Sequence, residues 1–200
     1  SPRVALRRVD EFVISNGGFI LKMQERIAKS ERERPQPKKY IEGEKFTILG
    51  KERCLKVIPA LKNEVSSDDD NIYLKVKAPE DLALKKRLMD KYFDKRCREV
   101  FEKLLIKLYP SAAQYGVAMP EMRMRYMKSR WGSCMPGKGV ITLNKYLLSF
   151  PEECIEYVIM HELCHFLQAD HSKKFYAYLT VLMPDWKARR EKLRLLSKKA

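Results

Sequence analysis

Residues 161 to 171 read HELCHFLQADH, and they hold all three histidines of a 200-residue chain. His161 and His165 stand four apart, which on a helix leaves them ~40° apart around the axis and ~6 Å apart along it. Two imidazoles so placed can bind one metal ion from a single face. Glu162 is rotated ~100° from His161, so it flanks such an ion and reaches a water bound to it. H-E-x-x-H on a helix is the pattern of zinc-dependent peptide hydrolysis, with the glutamate as general base.

The surroundings favour a metal over ordinary buried imidazoles. Ile155, Val158, Ile159, Leu163, Phe166 and Leu167 make the helix apolar around much of its circumference. Burying two imidazoles and a carboxylate there costs several kcal/mol unless something satisfies them. One zinc ion would do so. His171 lies in the register of the third ligand of the longer pattern H-E-x-x-H-x-x-G-x-x-H, with Gln168 where that pattern has glycine, so the turn must bend differently. Asp170 or Glu191 are the alternative third ligands. Three neutral nitrogens leave a fourth position for water, whose pKa zinc lowers to ~7. Arg130, Tyr126 and Tyr176 are candidate donors to the developing oxyanion. Cys134 or Cys164 as a nucleophile would need a free histidine base, and none remains if all three bind zinc.

The elements that must position these residues can be read from periodicity. Ser1-Pro2 suits a helix start, with an apolar face at Val4, Val9, Phe12 and Val13, and Asn16-Gly17-Gly18 as its stop. A second helix is expected from Phe19 to about Ser30, followed by the polar connection KSERERPQPKK. EKFTILGKERCLKVI reads as a hairpin turning at Gly50-Lys51, residues 66–71 as a polar loop, and 72–77 as a strand. Residues 80–108 carry a helical apolar stripe from Leu88 to Leu108, with i,i+4 pairs Asp94–Arg98 and Glu99–Lys103 and a stop at Pro110. Residues 121–134 and 140–144 read as strands joined by the turn MPGKG. Pro151 opens the histidine helix, and Ser172 is placed to cap the next one. Pro184 interrupts that helix, and a basic helix follows. The expected organisation is a single domain over 1–200, with helices and a connecting segment at 1–45 and an α+β core at 46–200.

The net charge is +15. Residues 173–200 hold nine Lys/Arg against two Asp/Glu, so a polyanionic partner such as nucleic acid competes with a merely solvated surface. Five cysteines without a C-x-x-C pair argue against a disulfide framework or zinc ribbon and for the cytoplasm. No apolar run reaches the ~20 residues of a membrane span, and SPRVALRR lacks the apolar stretch of a signal peptide.

Arg130-Trp131-Gly132-Ser133-Cys134, Leu143-Asn144, Pro151, Tyr157-Val158 leading into HELCH, His171-Ser172, Phe175 and Pro184-Asp185 together resemble the YgjP-like metallopeptidase family. This family is related to the SprT-like and WLM proteases. The resemblance is dense from Lys128 to Leu193. It implies a zincin-like α+β fold, a small, mostly antiparallel sheet packed against helices. It also implies zinc on His161, His165 and His171, catalysis by Glu162, and a cleft-lining strand at 130–134. Arg130 and Trp131 become the substrate-binding candidates there. A peptide or protein is the expected substrate, with a nucleotide or other phosphorylated compound as the alternative.

Overall fold

The computed structural model describes residues 6–19, 21–24 and 38–198. They divide into two compact units, one within 1–38 and one within 39–200. The expected start at Ser1-Pro2, Val4 and most of the connection before Lys38 lie outside the described residues. In the first unit, α1 spans Leu6–Ser15. It ends where the sequence predicts, with the Asn16 backbone N–H and Nδ2 both donating to the Phe12 carbonyl at 3.0 and 2.9 Å. Helical backbone recurs at 17–19 and 21–24.

The second unit opens on a four-stranded sheet. β1 (Lys45–Ile48) and β2 (Lys51–Pro59) form an antiparallel hairpin. Its turn lies one residue earlier than the sequence suggests, at Leu49 and Gly50, with φ of 53° and 79°. Two successive positive φ values give the turn that matches strand twist. β3 (Glu64–Ser67) and β4 (Asn71–Val76) follow, in the order β1-β2-β4-β3. β3 falls partly in what reads as a polar loop. Its EVSS sequence has almost no apolar face, and pairing with β4, from Val65 against Leu74, is what makes it a strand.

α2 runs from Leu82 to Ala113, capped by Asp81 Oδ1, which accepts the Leu84 N–H at 2.9 Å. Its apolar stripe, Leu88, Met89, Tyr92, Phe93, Cys97, Val100, Phe101, Leu104, Leu105 and Leu108, lies in the core or packs against it. The helix does not stop at Pro110. Proline there removes only the bond to the Ile106 carbonyl, on an exposed residue, and Ser111 Oγ donates back to the Leu108 carbonyl at 2.7 Å. The two ion pairs expected on its wet side are replaced: Arg98 meets Glu102 at 3.4 Å, Lys95 and Arg96 meet Glu99, and Asp94 takes Lys145 at 2.6 Å.

A second sheet holds β5 (Glu121–Arg125), β6 (Gly132–Met135) and β7 (Val140–Asn144) in the order β5-β7-β6. β7 is buried along its whole length and runs parallel to β5 and antiparallel to β6. The fold is α+β. Its strands form two small sheets, and three of the five pairings are antiparallel. α3 (Glu152–Cys164) packs against α2, β6 and β7, and α4 (Lys173–Leu182) and α5 (Trp186–Leu196) pack on α3. No helix among the described residues is long and apolar enough to cross a membrane.

Candidate metal centre

α3 starts at Pro151, whose carbonyl accepts the Cys154 N–H at 2.9 Å, and Glu152 and Glu153 face its positive N-terminus. Residues 154 to 160 are all buried. Apolar contact on every side therefore fixes the helix before its last turn presents the histidines. His165 stands at the C-cap with helical backbone, so the i,i+4 geometry survives although the regular helix ends at Cys164. The chain then turns through successive short bonds: His165 to Glu162, Phe166 to Leu163 and Leu167 to Cys164, at 3.0–3.3 Å. No residue between His165 and His171 has positive φ. The glycine missing at Gln168 is therefore not needed, because this turn uses no left-handed backbone.

The turn brings His171 back. The ligating nitrogens of His161, His165 and His171 all lie within 4.8 Å of one another. His161 Nε2 and His171 Nε2 are 3.0 Å apart, near the ~3.3 Å that two nitrogens span on a tetrahedral zinc. Phe175, fully buried, sits beneath all three rings at centroid distances of 4.7–4.9 Å. His165 Nδ1 lies 3.3 Å from the Gln168 carbonyl, a contact that fixes the ring and turns Nε2 toward the cluster. The His161 Nδ1 is buried without a partner. Burial first, then the neighbouring imidazoles and Arg190, push the His161 pKa down to about 3, and burial and His171 lower that of His165. Neutral, convergent imidazoles are the donor set that zinc takes, so these residues fit the ion.

The alternative third ligands are occupied elsewhere. Asp170 Oδ1 accepts from Gln168 Nε2 at 2.7 Å and from the Ser172 N–H at 3.3 Å. Asp170 thereby serves the start of α4, where Ser172 was expected to cap; the Ser172 Oγ is buried without a partner. Glu191 is bound by the Arg194 guanidinium at 2.5 and 2.7 Å.

Glu162 is 4% exposed, and burial lifts its pKa to about 8 against the opposing pull of Arg130. It lies against β6: a Cβ on Gly132 would stand 2.4 Å from Glu162 Oε1. Only glycine leaves room for this carboxylate. Arg130, Trp131, Gly132, Glu162 and the three histidines line one cleft of about 500 Å³. Tyr157 and Leu193 also line it. Trp131 packs edge-on against Phe150 at 5.0 Å. Of the three oxyanion candidates, only Arg130 lines the cleft. Tyr126 pairs with Tyr146, at 4.8 Å, and Tyr176 stacks on Trp186, at 5.2 Å. Burial pushes the thiols of Cys134 and Cys164 up to about 12, which leaves both protonated and poor nucleophiles.

Three contributors stand in the sequence only among the residues that carry the family resemblance, with no role of their own. Gly132 is one. Tyr157 is another, four residues before His161 and therefore on the same helix face, its hydroxyl pKa raised by burial. The third is Asn144, 2% exposed, whose Nδ2 donates to the carbonyls of Met127 and Arg130 at 2.8 and 2.9 Å. Its Oδ1 accepts from the Met127 and Tyr146 N–H groups, and its own N–H donates to the Trp131 carbonyl at 2.9 Å. The signal was a polar residue closing an otherwise apolar strand, VITLN.

The basic C-terminal helix is partly spent on the fold. Arg189 binds the buried Glu156 and, at 2.8 Å, Asp185, while Lys192 binds Glu153 and Arg194 binds Glu191. Glu156 also accepts Lys107 at 2.6 Å.

Comparison with curated proteins gives no match. Among solved structures, the chain is similar to the metallopeptidase zymogen abylysin of Pyrococcus abyssi, with 25% identity and a TM-score of 0.42. That alignment covers 49% of this chain and 93% of abylysin. The metallopeptidase zymogen jannalysin of Methanocaldococcus jannaschii gives 24% identity and a TM-score of 0.39, over 52% of this chain and 97% of its own. The family model described as YgjP-like, metallopeptidase domain, matches residues 1–195, and the chain belongs to that family.

Proposed function

We propose that the protein is a zinc-dependent peptidase in which His161, His165 and His171 hold the ion and Glu162 is the general base. The observation that carries this reading is the convergence of three imidazoles beside one buried carboxylate in an open cleft. Zinc bound there would supply Lewis acidity toward water and toward a peptide carbonyl. Glu162 would take the proton of the attacking water and return it to the leaving amine, and the positive charge of a bound ion would favour the carboxylate form that this requires. Arg130 and the Tyr157 hydroxyl are the donors available to the negative charge that develops on the carbonyl oxygen.

β6 supports an extended substrate. The Asn144 N–H to Trp131 carbonyl bond, with the Gly132–Leu143 register, makes Ser133 a hydrogen-bonded partner of Thr142. The backbone groups of Gly132 and Cys134 therefore point to the free edge, where a peptide can add as a further strand. Trp131 shapes the wall at its start. The five cysteines are unpaired, which suits a reducing cytoplasm.

The test is metal content together with peptide hydrolysis. Wild-type protein should hold about one zinc per chain and cleave an unstructured protein substrate. His165→Ala should lose most of the zinc, and Glu162→Gln should keep it while losing turnover. Full zinc occupancy in the His165 variant would overturn the ligand assignment.

A further inference from the structure

The walls of the cleft carry a charge that the hydrolytic reading does not use. Among the described residues lining it, Glu162 is the sole carboxylate, while Arg130 stands at the entrance of β6. Leu193 of α5 also lines it. Arg190 lies three residues before Leu193, so both lie on one side of that helix. Its neighbours on the helix have partners: Arg189 is held by Glu156 and Asp185, Lys192 by Glu153, and Arg194 by Glu191. Neither Arg130 nor Arg190 has a carboxylate within ion-pair distance among the described residues. The Arg190 charge reaches His161 and Tyr157, and the Arg130 charge reaches Glu162. Two guanidiniums without an ion pair thus stand near the centre. Arg130, in the loop before β6, lines the cleft, and Arg190 lies beside it on α5, in a neighbouring recess with Trp186, Lys187 and Glu191. An exposed arginine left alone beside a cleft with a low-dielectric floor attracts anions to it and repels cations.

We infer that Arg130 and Arg190 select acidic peptides, with Asp or Glu side chains close to the scissile bond, as the substrates of this site. The inference rests on the peptidase reading and adds its specificity. A planar guanidinium takes a carboxylate through two parallel hydrogen bonds, so it favours Asp and Glu over their amides as well as over Lys. With the peptide paired along β6, Arg130 meets residues near the start of that strand. Arg190 meets side chains that project toward α5. Charge attraction acts mainly before the transition state, so the selection should appear in KM more than in kcat.

The experiment uses the zinc-loaded full chain and a set of fluorogenic peptides differing only around one cleavable bond: Asp or Glu, Asn or Gln, and Lys. Wild type should cleave the acidic peptides with kcat/KM about tenfold above the amides and further above the lysine set, with a preference that shrinks as salt rises. Arg190→Glu, at an exposed position on α5, should retain zinc and narrow the preference with kcat little changed. Arg130→Gln should retain zinc, narrow the preference and also lower kcat in every set, because Arg130 is a donor to the developing oxyanion as well. A wild type that cleaves all sets alike, or a preference unmoved by charge reversal, overturns this inference and leaves the peptidase reading standing. Cleavage of no peptide in any set overturns both.

Discussion

Gly132 and Glu162 show how little space separates function from obstruction in this site. Gly132→Ala should fold and bind zinc, because the three atoms nearest its Cβ all belong to the Glu162 side chain. The carboxylate must then move by about 1 Å, and such a displacement costs on the order of 10²-fold in kcat. Steady-state kinetics beside zinc analysis checks this; an unimpaired kcat would mean that Glu162 has slack the packing does not suggest. Glu162 also makes the metal-free protein pH-sensitive. Its folded pKa of about 8 lies above its ordinary value of 4.5, so the folded state binds more protons than the unfolded one between these limits. The Glu162 contribution to the stability of the stripped protein should therefore fall as pH rises through that window, by on the order of 5 kcal/mol in full. The lowered pKa values of His161 and His165 act in the opposite sense below pH 6.5, so the net fall is expected above that pH. Glu162→Gln removes the titration. In the absence of metal it should be little different from wild type at pH 4.5 and clearly more stable at pH 8.5, as read by urea unfolding.

At the scale of elements, α3 is held in place by charge as well as by apolar packing. Glu156 is 7% exposed, and burial works to raise its pKa, yet hydrogen bonds from Lys107 and Arg189 hold it below the usual value. α3 is thus bridged to α2 and α5 through one carboxylate. Arg189→Ala should cost about 2 kcal/mol, less than the ~3–5 kcal/mol of a fully broken buried pair because Lys107 remains. Neutralising Arg189 to test nucleic-acid binding would therefore also weaken the docking of α5, which Lys187 and Arg190 would not. Asn144 plays the matching part for the loop before β6. Asn144→Asp keeps the shape and cannot donate to the Met127 and Arg130 carbonyls. We expect a loss of about 3 kcal/mol and a raised KM from the loosened Arg130–Trp131 segment. A thermal melt together with a substrate titration separates the two effects.

Across the second unit as a whole, two backbone hydrogen bonds tie the first sheet to the segment that leads into the site helix. The β1–β2 turn donates from Leu49 and Gly50 to the carbonyls of Leu148 and Ser149, at 2.7 and 3.1 Å, just before Pro151 opens α3. Gly50 has φ 79°, and a Cβ there would stand 2.8 Å from Pro151 Cγ. Gly50→Ala should therefore destabilise the unit by about 2 kcal/mol through strain and collision together. Because the displaced proline begins the helix that bears the histidines, metal affinity should fall with it. Calorimetry with and without zinc reads both; an unchanged zinc affinity would show that α3 is anchored by its later turns alone.

The histidines, their glutamate and the helix carrying two of them were legible because chemistry and periodicity coincide in one short segment: i,i+4 spacing is a local property of a helix. The α2 stripe and the β1–β2 hairpin were legible for the same reason. What the tertiary structure decided depends on partners distant in the chain. β3 has no apolar alternation of its own and exists through pairing with β4. Pro110 stays inside α2 because the single bond it forfeits lies at an exposed turn. Gly132 is thirty residues from Glu162, Asn144 secures a loop that precedes it by thirteen or more, and Arg189 meets Glu156 across two helices. Residue type named the donors, but which carboxylates were already taken, and hence which arginines remain free at the cleft, only packing could settle.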